Sequence, residues 1–169
     1  MIVVWDSFKG IPVKTIFDPH IHGVESIDIS CDSFFLYSLS KPSPEGEQEI
    51  SVWEWTEEIE GAVSTSTAPE GDKQTIIRCH HSDPNIFLTN GPKTVLFWEH
   101  TSGSLEYFPN TLKSDFKQSS SEIVQTTFVT NTTMAASGTT DGEIILWEKK
   151  IYPDREAKET EKEAMKVVK

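Results

Sequence analysis

The chain has 169 residues, 36% of them hydrophobic and 10% aromatic, with a formal net charge of −12. That is enough apolar material for one core and too much for a globally disordered polypeptide. No run approaches the ~18 apolar residues that a membrane helix needs, and no signal-peptide pattern opens the sequence.

Charge is unevenly placed: residues 149–169 carry seven basic and five acidic side chains, so the first 148 hold about −14. Such an acidic body has no electrostatic footprint for nucleic-acid phosphates or anionic lipid, and its partners are expected to be other proteins. No nucleic acid and no membrane is expected.

In chain order, Ile2-Val3-Val4-Trp5-Asp6 reads as a strand ending in Trp plus an acid, and residues 12–17 as an outer strand beside it. Residues 24–30 alternate, which predicts a strand with Ile27 and Ile29 on the packed face. A turn at Cys31-Asp32-Ser33 leads to a strand over 34–40. The excursion 41–48, with two prolines, a glycine and acids, is expected to be exposed and mobile, outside the core. Ile50-Ser51-Val52-Trp53-Glu54 then repeats the Trp-acid ending, and 61–67 is the next outer strand.

The following unit has strands over 75–81, 86–89 and 94–99, the last ending in Trp98-Glu99, with 105–108 outside them. Residues 110–121 are polar and expected to lie outside the core. Strands over 123–129, 134–139 and 143–148 close the series, the last two joined by the Asp141-Gly142 turn and ending in Trp147-Glu148. Beyond Tyr152-Pro153, a segment rich in Ala, Glu, Lys and Met is expected to be a charged linker or a weak helix capped by Asp154 and running through Val168. Lys158 with Lys162, Glu159 with Glu163 and Lys162 with Lys166 place like charges at i,i+4, so that helix has little support of its own.

Four of the five tryptophans, Trp5, Trp53, Trp98 and Trp147, are 48, 45 and 49 residues apart, close to the ~40–45 of one four-stranded propeller blade. With the stretch 136–148, this pattern resembles the WD-repeat family. The resemblance implies an all-β fold, a partial β-propeller of two complete and two partial blades with a short charged tail. The expected divisions are a partial blade at 1–20, blades at 21–72 and 73–112, a partial blade at 113–150, and the linker or helix at 151–169. A closed propeller typically has 4–8 blades, so the chain is expected to be a fragment or a truncated gene product, with the remaining blades of a longer chain as its neighbours.

The same resemblance implies a buried network joining a histidine before the first strand, a hydroxyl on the second, a turn Asp and the third-strand Trp. Carried onto this sequence, it assigns His20, Ser38 or Ser40, and Trp53 to one unit, and Ser137, Asp141 and Trp147 to the last; Trp5, Asp6 and Trp98 hold the matching strand ends. The set is incomplete, because no histidine precedes Ile123 at the right distance and Asn90-Gly91-Pro92 stands where an Asp-Gly turn would sit.

These positions are structural, and no catalytic residue, cofactor or metal is expected. His20-x-His22 and Cys79-His80-His81 contain ligand-type side chains, but no second cluster completes a set of four. The two cysteines, in different units, read as free thiols of a reducing compartment. Glycine-loop, nucleophile-elbow and paired-carboxylate signatures are missing.

The phrase Val4-Trp5-Asp6-Ser7-Phe8-Lys9-Gly10, with Leu88-Thr89-Asn90-Gly91 and Asp115-Phe116-Lys117-Gln118, is similar to WD-repeat proteins of the ciliary axoneme. That resemblance implies a non-catalytic scaffold among axonemal complex subunits at the radial spokes, located in the cytoplasm and cytoskeleton of a cilium or flagellum. A WD-repeat adaptor elsewhere in the cytoplasm or nucleus, and the regulatory propeller of a larger enzyme, are the competing expectations.

Overall fold

A computed structural model describes residues 1–108, 110–111, 121–149 and 162–168. Among these residues every regular element is a strand. The first sheet pairs β1 (Ile2–Asp6) with β2 (Ile11–Ile16). The second is a four-stranded antiparallel meander of β3 (Val24–Ile29), β4 (Phe35–Ser40), β5 (Glu49–Glu54) and β6 (Ser64–Thr67). The third repeats it with β7 (Ile76–Cys79), β8 (Ile86–Asn90), β9 (Val95–Thr101) and β10 (Ser104–Phe108).

The fourth sheet is built from β11 (Asn110–Thr111), β12 (Ile123–Phe128), β13 (Ala135–Thr139), β14 (Ile144–Lys149) and β15 (Lys162–Val168), in the order β11-β15-β14-β13-β12. The helix expected through Val168 is therefore corrected at its C-terminal end: 162–168 is a strand antiparallel to β14, with Ile144 opposite Val168 and Lys149 opposite Lys162. The open edge of β14 offers a ladder of backbone hydrogen bonds, and the like-charge pairs leave the competing helix weak. Asp154, the proposed cap, lies outside the described residues, as does most of the polar segment 110–121.

Each sheet packs one face against the next. Tyr37, Leu39, Ile50 and Val52 of the second sheet meet Ile77, Phe87, Leu96 and Trp98 of the third in one core. Leu88, Val95 and Phe97 on the opposite face of the third sheet meet Ile145 and Trp147 of the fourth. A smaller core joins Ile2 and Ile16 to Leu36 and Trp53. Apolar residues on both faces of the middle strands explain why β4, β5, β8 and β9 read as nearly continuous hydrophobic runs.

Polar side chains lock neighbouring sheets together. Ser26 Oγ accepts the Ile77 amide at 3.2 Å and Asp28 Oδ2 the Cys79 amide at 2.8 Å. Asn90 Oδ1 accepts the Thr126 amide at 2.9 Å. Between the second and third sheets the buried Gln48 donates to Ser40 O and Gln74 O, each at 2.9 Å, and accepts from Gln74 N at 2.7 Å.

Gln48 thus corrects the reading of residues 41–48 as lying wholly outside the core. Residues 44–47 are exposed, but Ser43 tightens the loop by accepting the Glu45 and Glu47 amides at 3.2 Å. The loop's last residue is an inter-sheet bridge, because a buried primary amide can satisfy two backbone carbonyls and one amide at once.

A second correction concerns β3. Ile27 and Ile29 alternate as a strand should, but they are 43% and 38% exposed. They lie on the face turned toward the first sheet, where β1 and β2 cover Leu36 and Trp53 and extend no further. The polar residues on either side of Ile27, Ser26 and Asp28, are the ones turned toward the third sheet.

Candidate functional site

The strongest constellation is a set of buried indoles, each pinned by a hydroxyl. Trp53 Nε1 donates to Ser38 Oγ at 2.8 Å, Trp98 Nε1 to Thr89 Oγ1 at 3.1 Å, and Trp147 Nε1 to Ser137 Oγ at 2.8 Å. The register explains the repetition. Trp53 lies opposite Leu36, Trp98 opposite Phe87 and Trp147 opposite Ala135. In every case the hydroxyl stands two residues further along, on the same face of the sheet.

In the second sheet the network continues from Ser38 to His20 Nε2 at 2.8 Å and from His20 Nδ1 to Glu49 Oε1 at 3.0 Å. A neutral imidazole protonated on Nδ1 satisfies every atom: the indole donates to the serine, the serine to Nε2, and Nδ1–H to the carboxylate. Burial lowers the His20 pKa from 6.5, against the opposing hydrogen bond and charge of Glu49. Ser40, the alternative hydroxyl, instead accepts the Glu49 amide at 2.8 Å.

In the third sheet a glutamine stands where the resemblance would put a histidine. Thr89 Oγ1 donates to Gln74 Oε1 at 2.9 Å, and Gln74 Nε2 donates to Thr94 Oγ1 at 3.0 Å. Asp72 Oδ2 accepts the Lys93 and Thr94 amides and the Thr94 hydroxyl at 2.9, 2.7 and 2.8 Å, closing the β8–β9 turn from outside it. Gly91 leaves room for this carboxylate, since a Cβ there would lie 2.5 Å from Asp72 Oδ2 and 2.4 Å from Lys73 O. In the fourth sheet Thr126 and Ser137 share a hydrogen bond at 2.6 Å.

Two proposed positions fall outside these networks. Asp141 is exposed at the β13–β14 turn, and among the described residues no side-chain hydrogen bond joins it to Ser137 or Trp147. Trp5 is 58% exposed, because among the described residues β1 pairs with β2 alone and has no second strand beside it to supply a hydroxyl and cover. Asp6 caps its own hairpin, accepting the Phe8 and Lys9 amides at 2.9 and 3.0 Å. Sequence reasoning missed Glu49, Gln74, Thr89 and Thr126. The signal that finds them is the strand register, which requires knowing which residue faces each tryptophan.

Ser38, His20 and Glu49 form a hydroxyl–imidazole–carboxylate line with the connectivity of an acyl-transfer triad. The surroundings exclude that chemistry: Ser38 is fully buried and its oxygen already holds the Trp53 indole N–H. Elsewhere His81 Nε2 accepts the Asn131 amide at 2.9 Å and His80 Nδ1 the Asp83 amide at 3.1 Å. Cys31 is exposed and Cys79 partly buried, both as free thiols, and burial pushes the Cys79 pKa up. Among the described residues no group of three or more His, Cys, Asp or Glu could hold a metal ion, and no helix is long and apolar enough to cross a membrane.

Successive antiparallel meanders packed face to face, each pinned through its third strand, define an arc of a β-propeller. The crystal structure of the Myceliophthora thermophila Cps50 (Swd1) β-propeller domain aligns with a TM-score of 0.63 at 12% identity, over 86% of this chain and 44% of that one. A functionally unknown protein from Desulfotomaculum acetoxidans aligns at 0.57 and 15% identity, over 86% and 42%.

The chain belongs to the CFAP251 N-terminal domain family, which it matches over residues 1–169. Cilia- and flagella-associated protein 251 of Chlamydomonas reinhardtii is 37% identical over 164 residues, 88% of this chain and 20% of that protein. Its Tetrahymena thermophila counterpart is 34% identical, over 99% and 17%, and the Mus musculus protein 27% identical, over 88% and 12%. The chain thus spans a fifth or less of these relatives, and their names support a ciliary or flagellar protein.

Proposed function

We propose that this chain is a WD-repeat propeller segment acting as a non-catalytic scaffold in the ciliary axoneme, where it docks neighbouring subunits of a radial-spoke-associated complex. The observation that carries the reading is the match of the whole chain to a family whose relatives are named for cilia and flagella.

The geometry supports a rigid binding body. The hydroxyl and imidazole groups are consumed in holding strands together, and loops from successive sheets present an acidic surface for basic protein partners. Sheet-locking side chains keep those loops in fixed relation, which lowers the ordering cost of association. Standard protein interfaces bury roughly 1,200–2,000 Å², within reach of a propeller face.

Electron cryotomography of axonemes from cells lacking the gene tests this reading. Loss of density at the base of radial spokes, restored by the intact gene, is the expected result. Axonemes with complete spoke bases would overturn it.

A further inference from the structure

Ser43-Pro44 is the only Ser/Thr-Pro dipeptide in the chain. It stands in the loop between β4 and β5, with Ser43 half-buried and residues 44–47 exposed beyond it. The bonds that shape the loop run within it. The Ser43 amide donates to Glu47 O at 2.8 Å, the Gly46 amide to Ser43 O at 3.0 Å, and the Glu45 and Glu47 amides to Ser43 Oγ at 3.2 Å. An exposed segment shaped by its own bonds can open into an enzyme's cleft without unfolding a sheet.

The surroundings of Ser43 depart from the acidic body of the chain. An open groove of about 650 Å³ runs beside it, and its walls include His22, Glu25, Lys41, Ser43 and Lys73. Two of the eight Lys and Arg side chains in residues 1–148 thus line one place. Lys41 is anchored there: its amide donates to Gly23 O at 2.8 Å, and its Cδ lies 3.7 Å from where a Gly23 Cβ would stand. Lys73 Nζ lies 3.2 Å from Glu25 Oε2, so one carboxylate shares the groove with two ammonium groups and an imidazole. Of the acids in the adjoining hollow, Asp72 is committed to the β8–β9 turn and Glu45 is exposed.

We propose that Ser43 is a phosphorylation site for a proline-directed protein kinase, and that its phosphate is held in this groove by Lys41, Lys73 and the loop amides. The kinase transfers the γ-phosphoryl group of ATP. The Ser43 Oγ–H bond breaks, Oγ bonds to phosphorus, the bond from phosphorus to the β–γ bridging oxygen breaks, and ADP and a proton leave. Proline at the next position selects the kinase class, because it has no amide N–H to offer and biases Ser43 toward extended backbone.

A phosphoserine carries about −1.5 to −2 charges at pH 7 and three strong acceptor oxygens. It outcompetes the single Glu25 carboxylate for Lys73 and takes up the Glu45 and Glu47 amides already aimed at Oγ. Lys73 precedes Gln74, which is bonded to Gln48 at the end of the same loop. The phosphate therefore adds a charge-assisted tie between the second and third sheets beside the Gln48 bridge, and makes a locally cationic surface anionic. The site is independent of which partners the scaffold docks.

Two measurements test it. In protein isolated from its own cells under phosphatase inhibition, mass spectrometry of the peptide carrying Ser43 is expected to find phosphate on that residue. Recovery of the peptide in its unmodified form alone would overturn the proposal. Purified protein with phosphoserine installed genetically at position 43 is expected to melt about 2–4 °C above the unmodified protein, and its phosphorus NMR resonance to titrate below the ordinary value of about 6. Both effects should shrink in Lys73→Gln and in Lys41→Gln, each compared with the same variant lacking phosphate. A melting temperature at or below that of the unmodified protein, a phosphate titrating at its ordinary value, or effects indifferent to both lysines would overturn the proposal. Absence of the protein from cilia would sink the axonemal reading and leave these results unaffected.

Discussion

Ile27 and Ile77 occupy the same register position in successive sheets, yet one is 43% exposed and the other fully buried. The difference lies in the preceding sheet, which has four strands for Ile77 and two for Ile27. Neighbouring sheets, rather than the residues of one sheet, therefore set the stability of each position. Ile77→Ala is expected to cost about 2–5 kcal/mol, as buried large-to-small changes do, whereas Ile27→Ala in the 169-residue chain costs well under half of that. Urea midpoints of the two variants check the contrast.

The indole pins should rank in the same way. Trp53→Ala and Trp147→Ala are expected to lose about 3–5 kcal/mol each. Trp5→Ala, at an exposed indole, stays within about 1 kcal/mol of the parent. Equal losses at all three positions in denaturant titrations would mean that Trp5 is buried in solution.

Ser38→Ala leaves the Trp53 indole N–H and the His20 Nε2 without their shared partner, which should cost about 1–3 kcal/mol. The same hydroxyl is expected to resist a fluorophosphonate probe, since an acylating reagent cannot reach a buried oxygen. Stoichiometric labelling of Ser38 would show the triad-like line to be a working site.

His100 lies 6% exposed near the end of β9, edge-on to Phe35 at 5.1 Å, and among the described residues neither ring nitrogen has a hydrogen-bond partner. Burial lowers its pKa from 6.5, and His20 is shifted in the same direction. A histidine with a depressed folded-state pKa is neutral when folded and protonated when unfolded, so stability is full above about pH 6.5 and falls as the pH drops through the folded value. His100→Leu should raise stability by about 1–2 kcal/mol by removing the unpaired nitrogens and flatten the decline between neutral and acid pH. Unfolding curves at pH 7.5 and 5.5 measure both effects, and an unchanged slope would exclude His100 as a contributor.

Much of the fold was legible because bulky residues repeat at a fixed period. Trp53, Trp98 and Trp147 lie on strands that carry apolar residues on both faces, and that pattern survives without any knowledge of pairing. The pins themselves were harder. Thr89 and Thr126 are two among many hydroxyl residues, and only the strand register singles them out. Gln74 fills a histidine's place because an amide can also accept from a threonine and donate onward.

Other expectations failed where tertiary pairing overrode local sequence. Residues 162–168 have helix-forming composition, but the edge of β14 gives them a ladder. Asp141 sits in the expected Asp-Gly turn, with Gly142 at φ +79°, and yet points to solvent. Asp141→Ala should therefore change stability by less than about 0.5 kcal/mol, while Gly142→Ala costs about 1 kcal/mol because alanine is strained in that conformation.

The proposed scaffold role requires the protein to be held on the axoneme itself. Immunoblotting detergent-extracted axonemes, the soluble ciliary matrix and deciliated cell bodies with an antibody raised against residues 1–148 tests it most directly. The antigen of an axonemal scaffold is expected to be retained on the extracted axonemes and depleted from the cell bodies. An antigen confined to cell bodies would contradict it.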